Sequence, residues 1–513
     1  MRLDEEGPSV TNPLFDLIRT GQPDLTRPFL ETVQGRVFTY GDLERRSAQY
    51  ANALVALGLR PGDRVALQVE KSAEAIFAYL GTVRAGGVFL PLNTAYTGPE
   101  IEYFLGDAQA AIFVCDPARK AALAPVAEFQ GVARLLTLDA EGRGTLADAA
   151  DAAPERFEDV ARGDDDLAAL LYTSGTTGRS KGAMLTQRNL VSNARALVEA
   201  WHYTQDDVLI HALPIFHTHG LFVATNVTLA AGASMIFLPK LDPELIIRCM
   251  GRASVLMGVP TFYTRLLKSP DLTRESAAGM RLFISGSAPL LPDTHRQWQA
   301  ATGHAILERY GMTETGMNTS NPYVGERRAG TVGLPLPGVS VRVVDPENGR
   351  ELIAGAIGMI EVKGPNVFKG YWRMPEKTAA EFHDGWFVTG DLGLIDARGY
   401  VQIIGRGKDL VITGGYNVYP KEVESEIDAI EGVIESAVIG VPHPDFGEGV
   451  TAVVVARPDA GLSEAAVLHR LEARLARYKL PKRVFFADEL PRNTMGKVQK
   501  NALRKQYKDL YGG

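Results

Sequence analysis

From Phe38 onward, apolar residues recur in two alternating rhythms. Thr39 and Asp42 stand as a capping box ahead of an apolar-periodic run ending near Leu57, which predicts a helix; RVALQV at 64–69 then predicts a strand. A second helix is expected over 72–85 and a strand at 88–92. Such alternation implies an α/β layered domain, carried onward by β-rich runs at 236–240, 281–286 and 358–364. The apolar stretch 221–238 is broken by Thr225, Asn226 and Thr228, so it reads as buried strand and loop, too polar to span a membrane.

The rhythm changes after Gly405. A helix over 420–430, strands at 435–441 and 449–456, a helix over 463–478 with Val467, Leu468, Leu471 and Leu475 on one face, and a strand at 483–487 together predict a compact α+β unit of about a hundred residues. GRGK at 405–408 offers two glycines for backbone freedom, so the expected division is an N-terminal domain over 1–404, a hinge at 405–408 and a small domain over 409–513.

Charge narrows the function. With 54 basic and 61 acidic residues, there is no overall basic field for nucleic acid or an anionic membrane, and any nucleotide bound is expected to be a small molecule. Cys115 and Cys249 lie far apart in no metal-ligand spacing, and the charged N-terminus lacks a signal-peptide core, so a cytoplasmic protein is expected.

The segment LYTSGTTGRSKG at 171–182 places Thr173, Ser174, Gly175, Thr176, Thr177 and Gly178 on a loop leaving a strand. Its backbone N–H and hydroxyl donors suit a phosphate chain, and Lys181 adds positive charge. The spacing is not that of a P-loop, and a polar turn between strands is the plain alternative. In ERYGMTET, 308–315, Glu314 could hold magnesium carried by phosphate oxygens; a capped helix start is the alternative. SGSAPL at 285–290 is a small-residue turn that lets a flat purine approach the backbone. Asp391 in TGD could accept both ribose hydroxyls, with Arg406 near ribose or phosphate, and Lys497 follows Gly496 on an apparent loop.

In this order, the segments resemble the acyl-adenylate-forming (ANL) superfamily of acyl-CoA synthetases, luciferases and peptide-synthetase adenylation domains, over about 14–508. The resemblance implies an α/β fold, with a large N-terminal domain of two β-α-β-like sheets and a distorted β-barrel beneath a small α+β lid. It implies ATP, magnesium and coenzyme A as reactants or cofactors. Residues 173–181 would wrap the β- and γ-phosphates, with Thr176 near the metal and Glu314 coordinating it. Gly286, Ser287, Ala288 and Pro289, with Arg309, Tyr310 and Gly311, would sandwich adenine, Glu308 and Thr313 would join the ATP site, Asp391 would bind the ribose, and Arg406 would contact ribose or phosphate. Lys497 would bridge the substrate carboxylate and the α-phosphate. His217 matches the position that gates the acyl pocket; for His219 a satisfied core histidine is the stronger reading.

MGVPTFYTRLL at 257–267, RYGMTETGMNTSNPY at 309–323 and the segment 405–428 are similar to malonyl-CoA synthetases. That likeness implies Arg265 as the ligand of the distal carboxylate, since burying a second carboxylate is costly without a fixed cation, and His217 and Ser287 would join it. The implied reaction is malonate to malonyl-AMP and then malonyl-CoA, with methylmalonate as a slower substrate; another short acid, or a separate carrier protein as acceptor, is the alternative. The lid would turn about Lys408 and bring Gly414, Gly415 and Tyr416 beside the pantetheine arm. A lysine acetyltransferase and deacetylase acting on Lys497, and a monomer or weak homo-oligomer, complete the expectations.

Overall fold

Two largely parallel sheets carry most of the chain. In this computed structural model, the residues described are 12–22, 24–173, 180–413, 416–472, 474–493 and 496–511. One sheet has nine strands, ordered Leu334–Pro335, Gly316–Ser320, Leu307–Met312, Leu282–Ser285, Val255–Gly258, Val208–His211, Ser234–Phe237, Pro28–Thr32 and Val37–Thr39. The other has seven, ordered Gly370–Tyr371, Lys181–Thr186, Leu167–Thr173, Val88–Pro91, Arg64–Gln68, Ala110–Cys115 and Arg134–Thr137. Helices cross between parallel neighbours, as such sheets require.

Local chemistry sets the first of these helices. Thr39 caps Tyr40–Ala56, and the Asp42 carboxylate returns to the Thr39 backbone N–H, closing the expected capping box. Ser72 caps Ala73–Arg84, a helix buried along its whole length. Its two charged residues stay inside because each is paired: Glu74 with Arg36 at 3.0 Å and Arg84 with Asp159 at 2.5 Å.

A third, antiparallel sheet of five strands, Ser340–Val344, Gly358–Lys363, Trp386–Ile395, Phe382–His383 and Val401–Arg406, stands where the resemblance implied a barrel. After Arg406 a short 3₁₀ turn, Gly407–Asp409, leads to a fourth sheet built from Val411–Thr413, Tyr416–Val418, Val433–His443, Gly447–Ala456 and Arg483–Phe486. This last unit has its own core of Val411, Val423, Ile427, Val438, Val450, Val467 and Leu471.

Three expectations shift. The stretch 221–238 is mainly helical: a π-helix, His219–Thr225, runs into the α-helix Asn226–Ala230 before the strand Ser234–Phe237. Its polar residues do not break it because they bond back to the turn behind, Thr225 Oγ1 to the Gly220 carbonyl at 3.0 Å and Thr228 Oγ1 to that of Ala224 at 2.8 Å. The helix expected over 463–478 spans only Glu464–Glu472, and Leu475 reaches the same core from the turn that follows. The segment 308–315 is not a helix start; it lies on the strand Leu307–Met312 and the turn of a hairpin to Gly316–Ser320. Among the described residues, no helix is long and apolar enough to cross a membrane.

Candidate active site

The site is assembled where the first three sheets meet. Antiparallel pairing of Leu167–Thr173 with Lys181–Thr186 sets Thr173 opposite Lys181, so the phosphate-loop segment opens and closes at that pair. Ser174, Gly175, Thr176, Thr177 and Gly178 lie outside the described residues. Lys181 is held on the site side: its Nζ is 3.1 Å from Glu381 Oε1 and 3.9 Å from the centre of the Tyr371 ring. The Tyr371 hydroxyl reaches Glu381 Oε2 at 2.7 Å and Glu314 Oε1 at 3.1 Å.

Glu314 sits in the hairpin turn and is 6% exposed; burial raises its carboxyl above the ordinary range. A buried carboxylate whose side chain meets one hydroxyl fits a cation delivered by a nucleotide, since magnesium takes one or two carboxylates and completes its shell with phosphate oxygens and water. Thr176, the other residue implied for the metal, is not described.

The hairpin also carries Tyr310, whose hydroxyl donates to Asp391 Oδ2 at 2.5 Å. Asp391 lies opposite Arg406 in the third sheet, and Arg406 Nε sits 2.6 Å from Asp391 Oδ1. Both carboxylate oxygens are thus engaged, so a ribose would share this carboxylate with two protein donors.

Lys497 comes to the same place from the last unit. Its N–H donates to Asn493 Oδ1 at 2.9 Å, and Gly496, at φ +74°, lies so near the helix Pro260–Leu266 that a Cβ would stand 3.2 Å from Thr261 Oγ1. The residue as a whole is exposed, yet its amine is held below the ordinary lysine range, first by burial and then by Arg406 and Lys408, with Asp391 acting the other way. Lys408 is exposed in the linking turn, and Tyr416 is 59% exposed and stacked on Tyr478 at 4.7 Å. Gly414 and Gly415 lie outside the described residues.

A second cluster forms on the other side of the hairpin. Arg309 is 3% exposed, and its Nε and Nη2 find no hydrogen-bond partner among the described residues. Gly286 leaves room for it: a Cβ there would stand 2.4 Å from the guanidinium carbon. Burial pushes Arg309 down to about 9. His217 and His219 are neutral neighbours. Burial, helped by Arg309, brings His217 down to about 4 and His219 well below the ordinary value. His219 Nδ1 lies 3.3 Å from Ser287 Oγ, and Ser287 holds φ +71°. Next door, Glu308 accepts from the Leu290 N–H at 3.1 Å, and burial lifts its carboxyl to about 8.

The turn carrying these histidines is braced from behind. His211 Nε2 donates to the Gly220 carbonyl at 2.9 Å, so its Nδ1 accepts from Lys71, 2.9 Å away. Lys71 also reaches the carbonyls of His211 and Leu238, and burial lowers its amine far below the ordinary lysine value.

Arg265 was expected as the ligand of the distal carboxylate. It is exposed, because Phe262, Tyr263 and Leu266 take the inward face of the helix Pro260–Leu266 and leave positions 264 and 265 outside. The buried guanidinium of the cluster is Arg309. Arg309 was expected on the adenine side, and its side chain turns to the histidine cluster instead. Tyr371 and Glu381 were missed, and nothing local marks Glu381.

The chain matches the AMP-binding enzyme family over residues 20–372 and the AMP-binding enzyme C-terminal domain over 422–497. It is 37% identical to a malonate–CoA ligase of Arabidopsis thaliana, covering 87% of this chain and 78% of that one. A feruloyl-CoA synthase of an Amycolatopsis species is equally identical, over 92% and 94%. Among solved structures, MatB from Rhodopseudomonas palustris is 65% identical and covers 98% of this chain and 99% of its own, with a TM-score of 0.96 in its ATP-bound form and 0.85 in its apo form. The fold, the two family matches and these identities carry one conclusion: the chain belongs to the AMP-binding enzyme family, among its acyl-adenylate-forming acid–thiol ligases.

Proposed function

We propose that this enzyme uses ATP to convert malonate to malonyl-AMP and then transfers the malonyl group to coenzyme A. The observation that carries the choice of acid is the Arg309 guanidinium, buried with two nitrogens unpartnered among the described residues, beside His217, His219 and Ser287. A buried cation without a partner is an unfavourable arrangement, and a short diacid relieves it by presenting its far carboxylate to the guanidinium fork. A ferulate ring has no anion to offer there, so the equal identity to a feruloyl-CoA synthase does not weigh against malonate.

In this reading the near carboxylate attacks the α-phosphate while Lys497 neutralises the charge gathering between them. Magnesium, held by Glu314 with Thr176 close by, would supply charge neutralisation on the phosphates. Lys181 and residues 173–178 hold those phosphates, Asp391 and Arg406 take the ribose, and Gly286 to Pro289 with Tyr310, Gly311 and Thr313 flank adenine. The agreement with the ATP-bound MatB structure supports a lid set for adenylation, with Gly496 against Thr261. For thioester formation the lid turns about Lys408, Lys497 withdraws, and Gly414, Gly415 and Tyr416 come to the pantetheine arm.

The test is AMP release with ATP, magnesium and coenzyme A across acetate, propionate, malonate, methylmalonate and succinate. Malonate should give the highest kcat/KM, with methylmalonate lower by the roughly 1–3 kcal/mol that one methyl commonly makes to discrimination. Equal rates for propionate and malonate would defeat the assignment.

A further inference from the structure

Two protein groups hold Lys181 where the phosphate-loop segment closes. We propose that Glu381 is a positioning residue for nucleotide capture, holding the Lys181 ammonium against the Tyr371 ring at the mouth of the phosphate loop. The inference rests on the ATP reading above but not on which acid is activated.

The geometry supplies the reason. A free lysine side chain has four rotatable bonds, and fixing it on a ligand costs rotamer entropy. Here Glu381 Oε1 holds Nζ at 3.1 Å and the Tyr371 ring lies 3.9 Å below it, so that entropy is lost on folding rather than on binding. An ammonium has three protons; one serves Glu381, leaving others for phosphate oxygens above the Thr173–Lys181 pair.

A carboxylate so close would repel phosphate if its charge were bare. Lys377 Nζ sits 2.8 Å from the same Oε1, and the Tyr371 hydroxyl serves Oε2 at 2.7 Å. The two lysines and Glu381 therefore present a net positive charge. When phosphate draws on Lys181, Glu381 keeps two of its three partners and is not stranded. Tyr371 also touches Glu314, so a single ring ties the lysine to the carboxylate on the far side of the site.

The experiment is a double-mutant cycle on the full chain, using Glu381→Gln, Lys181→Met and the pair. ATP binding is measured by calorimetry, and adenylation by pyrophosphate exchange with whichever acid proves best. Glu381→Gln should weaken ATP binding about tenfold. It should leave the KM for the acid, and the conversion of supplied acyl-adenylate to thioester, within about twofold. In the Lys181→Met background the same change should have no further effect, because its route is gone. Lys377→Met removes one of the charges that cover Glu381 and should weaken ATP binding by less than Glu381→Gln does. The proposal is overturned if Glu381→Gln is as damaging without Lys181, if it tightens ATP binding, if it slows the thioester step equally, or if Lys377→Met mimics it. A different preferred acid would leave this test intact while refuting the malonate assignment.

Discussion

Arg309→Leu probes the malonate reading directly. Burial lowers this guanidinium from its ordinary value to about 9, which corresponds to a cost on the order of 5 kcal/mol held in the folded protein. A carboxylate arriving opposite Nε and Nη2 recovers a large part of it. Truncating one partner of such a pair commonly costs about 2–5 kcal/mol, so kcat/KM for malonate should fall on the order of 10²–10³-fold. Propionate, which has no far carboxylate, should keep its rate or gain. Removing an unpaired buried charge should also leave the ligand-free protein at least as stable, so its thermal midpoint should stay level or rise. Arg265→Leu, on the exposed face of its helix, should change neither activity nor midpoint. The assays are pyrophosphate exchange with each acid and a thermal melt. Parallel losses for malonate and propionate, or a lowered midpoint, would refute the reasoning, because Arg309 would then be structural.

Other outcomes follow from the same arrangement. Lys497→Ala should abolish most adenylation yet still convert supplied malonyl-AMP to the thioester; equal loss in both half-reactions would separate Lys497 from the α-phosphate. Quantitative acetylation of Lys497 should have the same effect by removing its charge, read by mass spectrometry beside activity. Glu308 has a folded-state pKa raised to about 8 from the ordinary 4.5, so its contribution to stability is full below about 4.5 and is lost as pH rises through 8. Glu308→Gln should therefore gain stability over the parent at pH 9 and lose that advantage at pH 5. Denaturant midpoints at the two pH values check it; a difference independent of pH would contradict the burial argument.

Much of the scaffold was legible because its signals are local. The Thr39–Asp42 box and the short strands on either side of the helix Ala73–Arg84 need only neighbours within a few positions. The hairpin at 307–320 was not, since LERYGMTETGMNTS is mostly polar and carries no sustained apolar period to mark either strand. The exposure of Arg265 was itself readable: Phe262, Tyr263 and Leu266 fix the helix phase and turn position 265 outward. Glu381 could not be found by spacing, because it lies 200 positions from Lys181 and meets it only through the edge strand Gly370–Tyr371 and the short helix that follows. Residues 174–179, which hold much of the phosphate-loop reading, lie outside the described residues.

The π-helix beside the acyl cluster sets how that pocket can be re-tailored. One wide turn holds a surplus residue, and a single carbonyl, that of Gly220, receives both Thr225 and His211. A wide turn absorbs its surplus residue locally and spares the phase of the helix beyond it, Asn226–Ala230. Deleting one position within it would restore ordinary winding while that helix stays in place, so the change falls on His219 and the turn that carries it, and length in this segment shapes the pocket as the side chains do.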